Sequence, residues 1–137
     1  MEIIKNMSVP KDYLFEVFTQ SIQSDIAEQT GKKIETANFE DFEYIKTFSK
    51  NNQATIKIDK FEQNNCYQYS TRTDKNKIVA KYDITAIDNH NCKLRYTEQI
   101  TSYGYLQKLN DTLVGFVWSF LKKKRFNEML RQIEESY

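Results

Sequence analysis

The first thirty residues change from one hydrophobic pattern to another. Residues 2–9 (EIIKNMSV) are typical of a β-strand. Pro10 follows, and its fixed φ suits the first turn of a helix, where its missing N–H costs nothing. Apolar residues then recur at helical spacing, at Phe15, Phe18, Ile22 and Ile26. Because Gly31 can form a left-handed cap, the pattern predicts a helix that ends at Thr30-Gly31.

Between residues 32 and 103 the hydrophobic period falls to two, which indicates strands with one covered face. The alternating sets are Ala54, Ile56 and Ile58; Tyr67, Tyr69, Thr71 and Thr73; Ile78, Ala80, Tyr82, Ile84 and Ala86; and Cys92, Leu94, Tyr96, Glu98 and Ile100. Short Asn- and Asp-rich breaks separate them and favour hairpins, hence an antiparallel meander of five or six strands. Upstream, Glu43 to Ser49 predicts a strand, and Ile34 is a candidate start of another.

The C-terminal segment, from about Tyr105 to Tyr137, predicts one long helix, since it lacks Pro and contains only one glycine, Gly115. Its apolar residues form two stripes, Leu106, Leu109, Leu113, Phe116, Val117 and Phe120, then Phe126, Leu130, Ile133 and Tyr137. The uncharged run between Asp111 and Leu121 is about half the ~20 apolar residues that a spanning helix needs. The sequence therefore predicts no membrane span.

These elements predict an α+β fold. A meander with one polar face must bury its other face, and the two helices are the only predicted elements long enough to cover it. We therefore expect one domain over residues 1–137, in which a curved antiparallel sheet wraps around a long C-terminal helix. An N-terminal helix follows the first strand.

This order of elements resembles the helix-grip fold of the START and polyketide-cyclase-like (SRPBCC) superfamily. Within it, the chain is similar to a small family of uncharacterised bacterial proteins. The resemblance covers nearly the whole chain and rests on "SVPKDYLFEVF", "QTGKK", "FEYIKTFSKNNQATIKI", "VAKYDI", "LRYTEQI" and "GFVWSFLKKKRFNEML". None of these segments is a catalytic signature. The resemblance implies a cavity for lipid, sterol, polyketide or other apolar ligands.

The charge balance argues against a nucleic-acid partner. The chain has 20 Lys and Arg against 19 Asp and Glu, whereas nucleic-acid binders usually carry a clear positive excess. The N-terminal residues contain no apolar leader, and Cys66 and Cys92 match no metal or redox spacing. We therefore expect a cytoplasmic protein with two reduced thiols, no metal and no other cofactor.

Glu98 is the sharpest candidate for a functional residue. It is in phase with Tyr96 on the predicted inner face of the sheet. A carboxylate there must be paired, hydrogen-bonded or protonated, because burying it bare is costly. Candidate partners are the hydroxyls of Tyr67, Tyr69, Tyr82 and Tyr96. One interpretation is structural: Glu98 makes a hydrogen bond in the core or is exposed at a strand end. The other is functional: Glu98 is a polar anchor for a ligand in a cavity, or an acid–base group.

The favoured hypothesis is a binding module for a small apolar or aromatic ligand, in a cavity between the sheet and the C-terminal helix. The predicted ligand contacts are Tyr67, Tyr69, Tyr82, Tyr96, Glu98, Phe116, Val117 and Phe120. Two alternatives stay open. One is an enzyme that uses Glu98 and a neighbouring Tyr as acid–base groups, and the other is a protein-interaction scaffold with a filled core.

Three other features carry weaker predictions. Trp118 and Leu121 predict an apolar patch that a second copy of the chain would cover, giving a homodimer. The four charges Lys122–Arg125 spread around most of a helical turn and predict a solvated, partly paired stretch. His90 lies in an Asn- and Asp-rich break and is expected to be a turn residue.

Overall fold

A computed structural model describes the backbone of residues 1–102 and 115–137, and the side chains of residues 1–101 and 121–137. The elements are β1 (Glu2–Met7), α1 (Lys11–Thr30), a 3-10 turn (Thr36–Asn38), β2 (Glu43–Ser49), β3 (Asn52–Glu62), β4 (Cys66–Arg72), β5 (Asn76–Ala86), β6 (Cys92–Ser102) and α2, described from Gly115 to Ser136. The α+β order predicted from the pattern is confirmed. Residues 103–114, where the long helix was predicted to begin, lie outside the described residues.

The strands form one antiparallel sheet in the order β1-β6-β5-β4-β3-β2. The strands β2 to β6 follow one another as hairpins, as the polar breaks predicted, and β1 closes the other edge beside β6. Asn64 takes φ 65 in the break between β3 and β4, a left-handed conformation that Asn tolerates better than most residues. The chain therefore turns where its sequence favours turning.

The helix α1 has the ends that its sequence predicted. Pro10 precedes its first turn with φ −64, and Gly31 caps its end at φ 72 and donates its N–H to the carbonyl of Ala27. The first strand is shorter than predicted, because it ends at Met7 rather than at residue 9. Ile34 begins no strand, since the chain there passes into a 3-10 turn.

Most of the alternating residues of the sheet are buried or half-buried, as their period predicted, but Ala86 and Ile100 at strand ends are exposed. Ile58 is fully buried, and a register shift between Ile58 and Lys60 adds one residue to β3. This bulge brings Phe61 opposite Tyr67 and back onto the inner face. The bulge therefore extends the row of inward rings by one strand.

The helix α2 packs its second apolar stripe against the concave face of the sheet. Leu130 is fully buried and Ile133 nearly so, and the ring of Phe126 stacks on Tyr96 at 4.4 Å between centroids. Tyr137, the last predicted member of the stripe, is exposed. The helix-grip arrangement predicted from the sequence is confirmed. Among the described residues, no helix has the length and hydropathy needed to cross a bilayer.

Candidate functional site

A row of aromatic rings crosses the inner face of the sheet from β3 to β6. The strand registers place Phe61 opposite Tyr67, Tyr67 opposite Tyr82, and Tyr82 opposite Tyr96. Successive ring centroids lie 6.3, 5.7 and 4.9 Å apart, and Phe126 of α2 continues the row beyond Tyr96. Because aromatic pairs attract at these separations, the row is a continuous apolar floor.

Beside this row lies a pocket of about 560 Å³ between α1, the sheet and α2. Its described lining is Phe18, Ser21, Ile22 and Asp25 of α1; Tyr44, Lys46, Phe48, Ile56, Tyr67, Tyr69, Thr71, Ile78, Tyr82 and Glu98 of the sheet; and Lys122 and Met129 of α2. Most of these side chains are aromatic or aliphatic. A few polar groups interrupt them, and the four charged residues among these belong to two clusters.

The first group, the β6 cluster, consists of Tyr96, Glu98 and Lys122. The Tyr96 hydroxyl donates to Glu98 Oε2 at 2.5 Å, and Lys122 Nζ donates to Glu98 Oε1 at 2.8 Å. The Glu98 side chain is only 8% exposed. In this largely buried position, each of its two oxygens accepts a hydrogen bond from a protein donor. The cluster ties α2 to the sheet at the wall of the pocket.

The second group, the β2 cluster, consists of Asp25, Tyr44 and Lys46. The Tyr44 hydroxyl donates to Asp25 Oδ2 at 2.5 Å, and Lys46 Nζ lies 2.9 Å from Asp25 Oδ1. The groups are the same as in the β6 cluster: one carboxylate, one tyrosine and one lysine. Here the carboxylate comes from α1 and its two partners come from β2.

The tyrosines of the site keep their protons at neutral pH. Burial, together with the nearby charge of Glu98, raises the pKa of Tyr69 to about 12. Burial also raises the pKa of Tyr67 and Tyr82 well above 10. In Tyr44 and Tyr96, burial and the hydrogen bond to a carboxylate raise the pKa in the same direction. These hydroxyls are therefore neutral hydrogen-bonding groups rather than bases.

The structure brings together four of the residues proposed from the sequence. Tyr67, Tyr69, Tyr82 and Glu98 all line the pocket, whereas Tyr96 lies in the aromatic row and holds Glu98. The side chains of the remaining candidates, Phe116, Val117 and Phe120, lie outside the described residues. His90 is in a turn, as expected, and its backbone N–H donates to Asp88 Oδ1.

Sequence reasoning missed the β2 cluster and the lysine of the β6 cluster. Asp25 lies three residues after Ile22 on the buried side of α1. That helical spacing could have predicted that Asp25 faces the sheet. Lys122 differs from its exposed neighbours Lys123, Lys124 and Arg125, because it lies one turn before Phe126 and shares its face. A run of four charges on a packed helix must turn one of them toward the sheet.

Solved structures share this fold at low sequence identity. Ara h 8.0201 matches with a TM-score of 0.66 and 17% identity, over 99% of this chain and 94% of that one. A START superfamily protein from Mycobacterium smegmatis matches with a TM-score of 0.55 and 9% identity, over 100% and 98%. Norcoclaurine synthase from Thalictrum flavum, in complex with dopamine and hydroxybenzaldehyde, matches with a TM-score of 0.57 and 5% identity, over 100% and 87%.

These matches confirm the START-like helix-grip fold that the sequence segments suggested. No curated protein sequence matches this chain significantly. A family model matches residues 1–119, which is most of the chain and includes the whole sheet. The chain therefore belongs to the family described as "Domain of unknown function (DUF3284)".

Proposed function

We propose that the protein is a non-catalytic binding module for a small apolar or aromatic ligand, held in the pocket between the sheet and the two helices. The observation that carries this function is the pocket itself. Its volume of about 560 Å³ is in the usual range for ligand sites, roughly 300–1,000 Å³. Its lining also has the usual composition, with many apolar side chains and a few polar ones.

The aromatic content of the walls favours a flat, apolar ligand. The faces of Tyr67 and Tyr82 are stacked on each other at 5.7 Å, and Phe18 of α1 packs on Tyr82 at 4.8 Å. Rings that are already ordered lose little entropy when they receive a further ring. The norcoclaurine synthase structure, which shares the fold, contains two small aromatic compounds.

Catalysis by Glu98 is the second candidate function, because a buried carboxylate beside a tyrosine in a pocket has the right groups for acid–base chemistry. Against it, both oxygens of Glu98 already accept hydrogen bonds from Tyr96 and Lys122. The raised pKa of Tyr96 also makes that tyrosine a poor proton donor. The third hypothesis is a scaffold with a filled core, which would bind no small ligand.

The test is a fluorescence titration with the neutral dye Nile red. Ser21 is exposed and lines the pocket, so the larger side chain of Ser21→Trp should occupy part of the pocket with little effect on the core. Ser24 is exposed on the same helix but does not line the pocket, so Ser24→Trp is the matched control.

We expect saturable binding of one dye per chain, weakened about tenfold or more by Ser21→Trp and unchanged by Ser24→Trp. Absence of saturable binding to the wild-type protein would reject the binding module. Equal binding to all three proteins would show that the dye binds elsewhere.

The wider setting of the protein is part of the same proposal. Residues 1–137 form one domain in this proposal. The proposed location is the cytoplasm, which agrees with the free, buried thiols of Cys66 and Cys92. A net charge of +1 agrees with the absence of a nucleic-acid partner. The homodimer through Trp118 and Leu121 stays a prediction: Leu121 is 41% exposed, and the side chain of Trp118 lies outside the described residues.

A further inference from the structure

The two polar clusters lie on different walls of one pocket and contain the same three groups. We propose, building on the proposed function, that the ligand is an elongated, neutral aromatic molecule with a hydroxyl group at each end. One hydroxyl binds the β2 cluster and the other binds the β6 cluster. The rings between them lie against the tyrosines of β4 and β5.

The spacing of the strands sets the length of this ligand. The strands β2 and β6 are separated by β3, β4 and β5, which makes four interstrand steps. At about 4.8 Å per step, the path along the sheet is about 19 Å, and a straight line across a concave sheet is shorter. Side chains from both walls reach inward and shorten it further. The proposed ligand therefore has at least two linked aromatic rings between its hydroxyl groups.

The charges of the clusters argue for a neutral ligand. Asp25 is paired with Lys46, and Glu98 is paired with Lys122. Within the described lining these are the only charged residues, so the two negative and two positive charges balance. An anionic ligand would have to lose its hydration without meeting an unmatched cation, which is costly. A neutral molecule avoids that cost.

The hydrogen-bonding capacity of the clusters argues for hydroxyl groups. A lysine ammonium has three donors, and Lys122 and Lys46 each give one of them to a carboxylate. Their side chains are 30% and 32% exposed, which leaves donors for a ligand. A carboxylate oxygen has a second lone pair. A hydroxyl group can accept from the ammonium and donate to the carboxylate, so one such group complements each cluster.

The experiment compares trans-stilbene, 4-hydroxystilbene and 4,4′-dihydroxystilbene in titrations of the 137-residue chain. Each hydroxyl group should strengthen binding about tenfold, since each meets a charged partner in a partly dry site. Stilbene-4,4′-dicarboxylate has the same shape with a negative charge at each end. We expect it to bind more weakly than the dihydroxy compound.

Variants assign each gain to its cluster. Asp25→Asn should remove the gain from one hydroxyl group and Glu98→Gln the gain from the other, so the double variant should lose both. Glu43→Gln is the control, because Glu43 is also a strand residue in an ion pair but lies outside the pocket. Affinities are compared as ratios to stilbene within each protein, so that stilbene also reports whether the pocket has survived the substitution.

The outcomes separate this inference from the proposed function. If stilbene binds and the hydroxyl groups add nothing, or if both gains persist in the double variant, the two-ended site is wrong and the binding module stands. Tighter binding of the dicarboxylate would also overturn the neutral ligand. If none of the four compounds binds while Nile red does, this inference fails alone; if Nile red also fails to bind, the proposed function fails with it.

Discussion

At the residue scale, Glu98 is a carboxylate kept 8% exposed between a tyrosine hydroxyl and a lysine ammonium. Such a position is stable only while both oxygens have donors, because an unpaired buried charge is expensive. The same logic applies to Asp25, which holds Tyr44 and Lys46 against α1. The polar groups of the pocket are therefore also contacts that join the helices to the sheet.

The substitution Glu98→Gln should lower the free energy of unfolding by about 1–2 kcal/mol, because it leaves Lys122 without its counter-charge. The loss is smaller than for a fully buried pair, since the lysine is 30% exposed. Urea denaturation measures the effect. The control Glu43→Gln breaks an exposed pair with Arg72 and should change stability much less. Equal losses in the two variants would contradict this account of Glu98.

The sequence predicted the inner position of Glu98 but not all of its partners. Glu98 and Tyr96 share a phase on one strand, so period two is enough to place both on one face. Lys122 comes from a different element, and its contact depends on how α2 rotates against the sheet. Asp25 meets Tyr44 for a similar reason. Contacts within one strand can be predicted from the local pattern, whereas contacts between elements can be predicted only when the packing of those elements is known.

At the element scale, the helix α1 and the hairpins were predicted well because they carried their own boundary signals. Pro10 and Gly31 mark the ends of α1, and polar breaks mark the hairpins. The bulge between Ile58 and Lys60 was not predicted. The position of a bulge depends on how a strand pairs with its neighbour, and the hydrophobic pattern of a single strand does not contain that information. Its effect is to place Phe61 in the aromatic row.

Phe126 contributes to the contact of α2 with the sheet by packing on Tyr96 and Tyr82. We expect Phe126→Ala to lower the free energy of unfolding by about 2–3 kcal/mol, through lost apolar burial and ring contacts. Chemical denaturation followed by circular dichroism measures it. Leu121→Ala, on an exposed residue of the same helix, should cost clearly less. A cost for Phe126→Ala no greater than that control would mean that α2 is anchored elsewhere.

At the scale of the whole molecule, the interior is rich in hydroxyl and thiol groups that resist ionisation. Burial raises the pKa of Cys92 from 9.0 to about 11 and that of Tyr69 from 10.0 to about 12. The folded protein therefore keeps protons that the unfolded chain releases at lower pH. Stability is fully present below about pH 9 and is lost as the pH rises toward the folded-state pKa values.

This linkage predicts that the urea midpoint falls steadily as the pH rises from 9 toward 11. The tyrosinate absorbance of Tyr67 and Tyr82 should appear only with unfolding, because these two hydroxyls are protected in the folded state. The Cys92→Ala variant should show a smaller decline near pH 9, where the buried thiol of Cys66, whose pKa is also raised by burial, still contributes. A midpoint that stays constant over this range would contradict the buried, protonated interior.

The central claim is that a small aromatic molecule binds inside the pocket, and an NMR titration with the neutral compound 2-naphthol tests it most directly. The backbone amide signals of Ile22, Tyr69 and Tyr82, which line the pocket, should shift and reach a plateau at one ligand per chain. Those of Ile4 and Ile87, which are exposed apolar residues away from it, should stay in place. An absence of shifts, or shifts of equal size at both sets of residues, would contradict the claim.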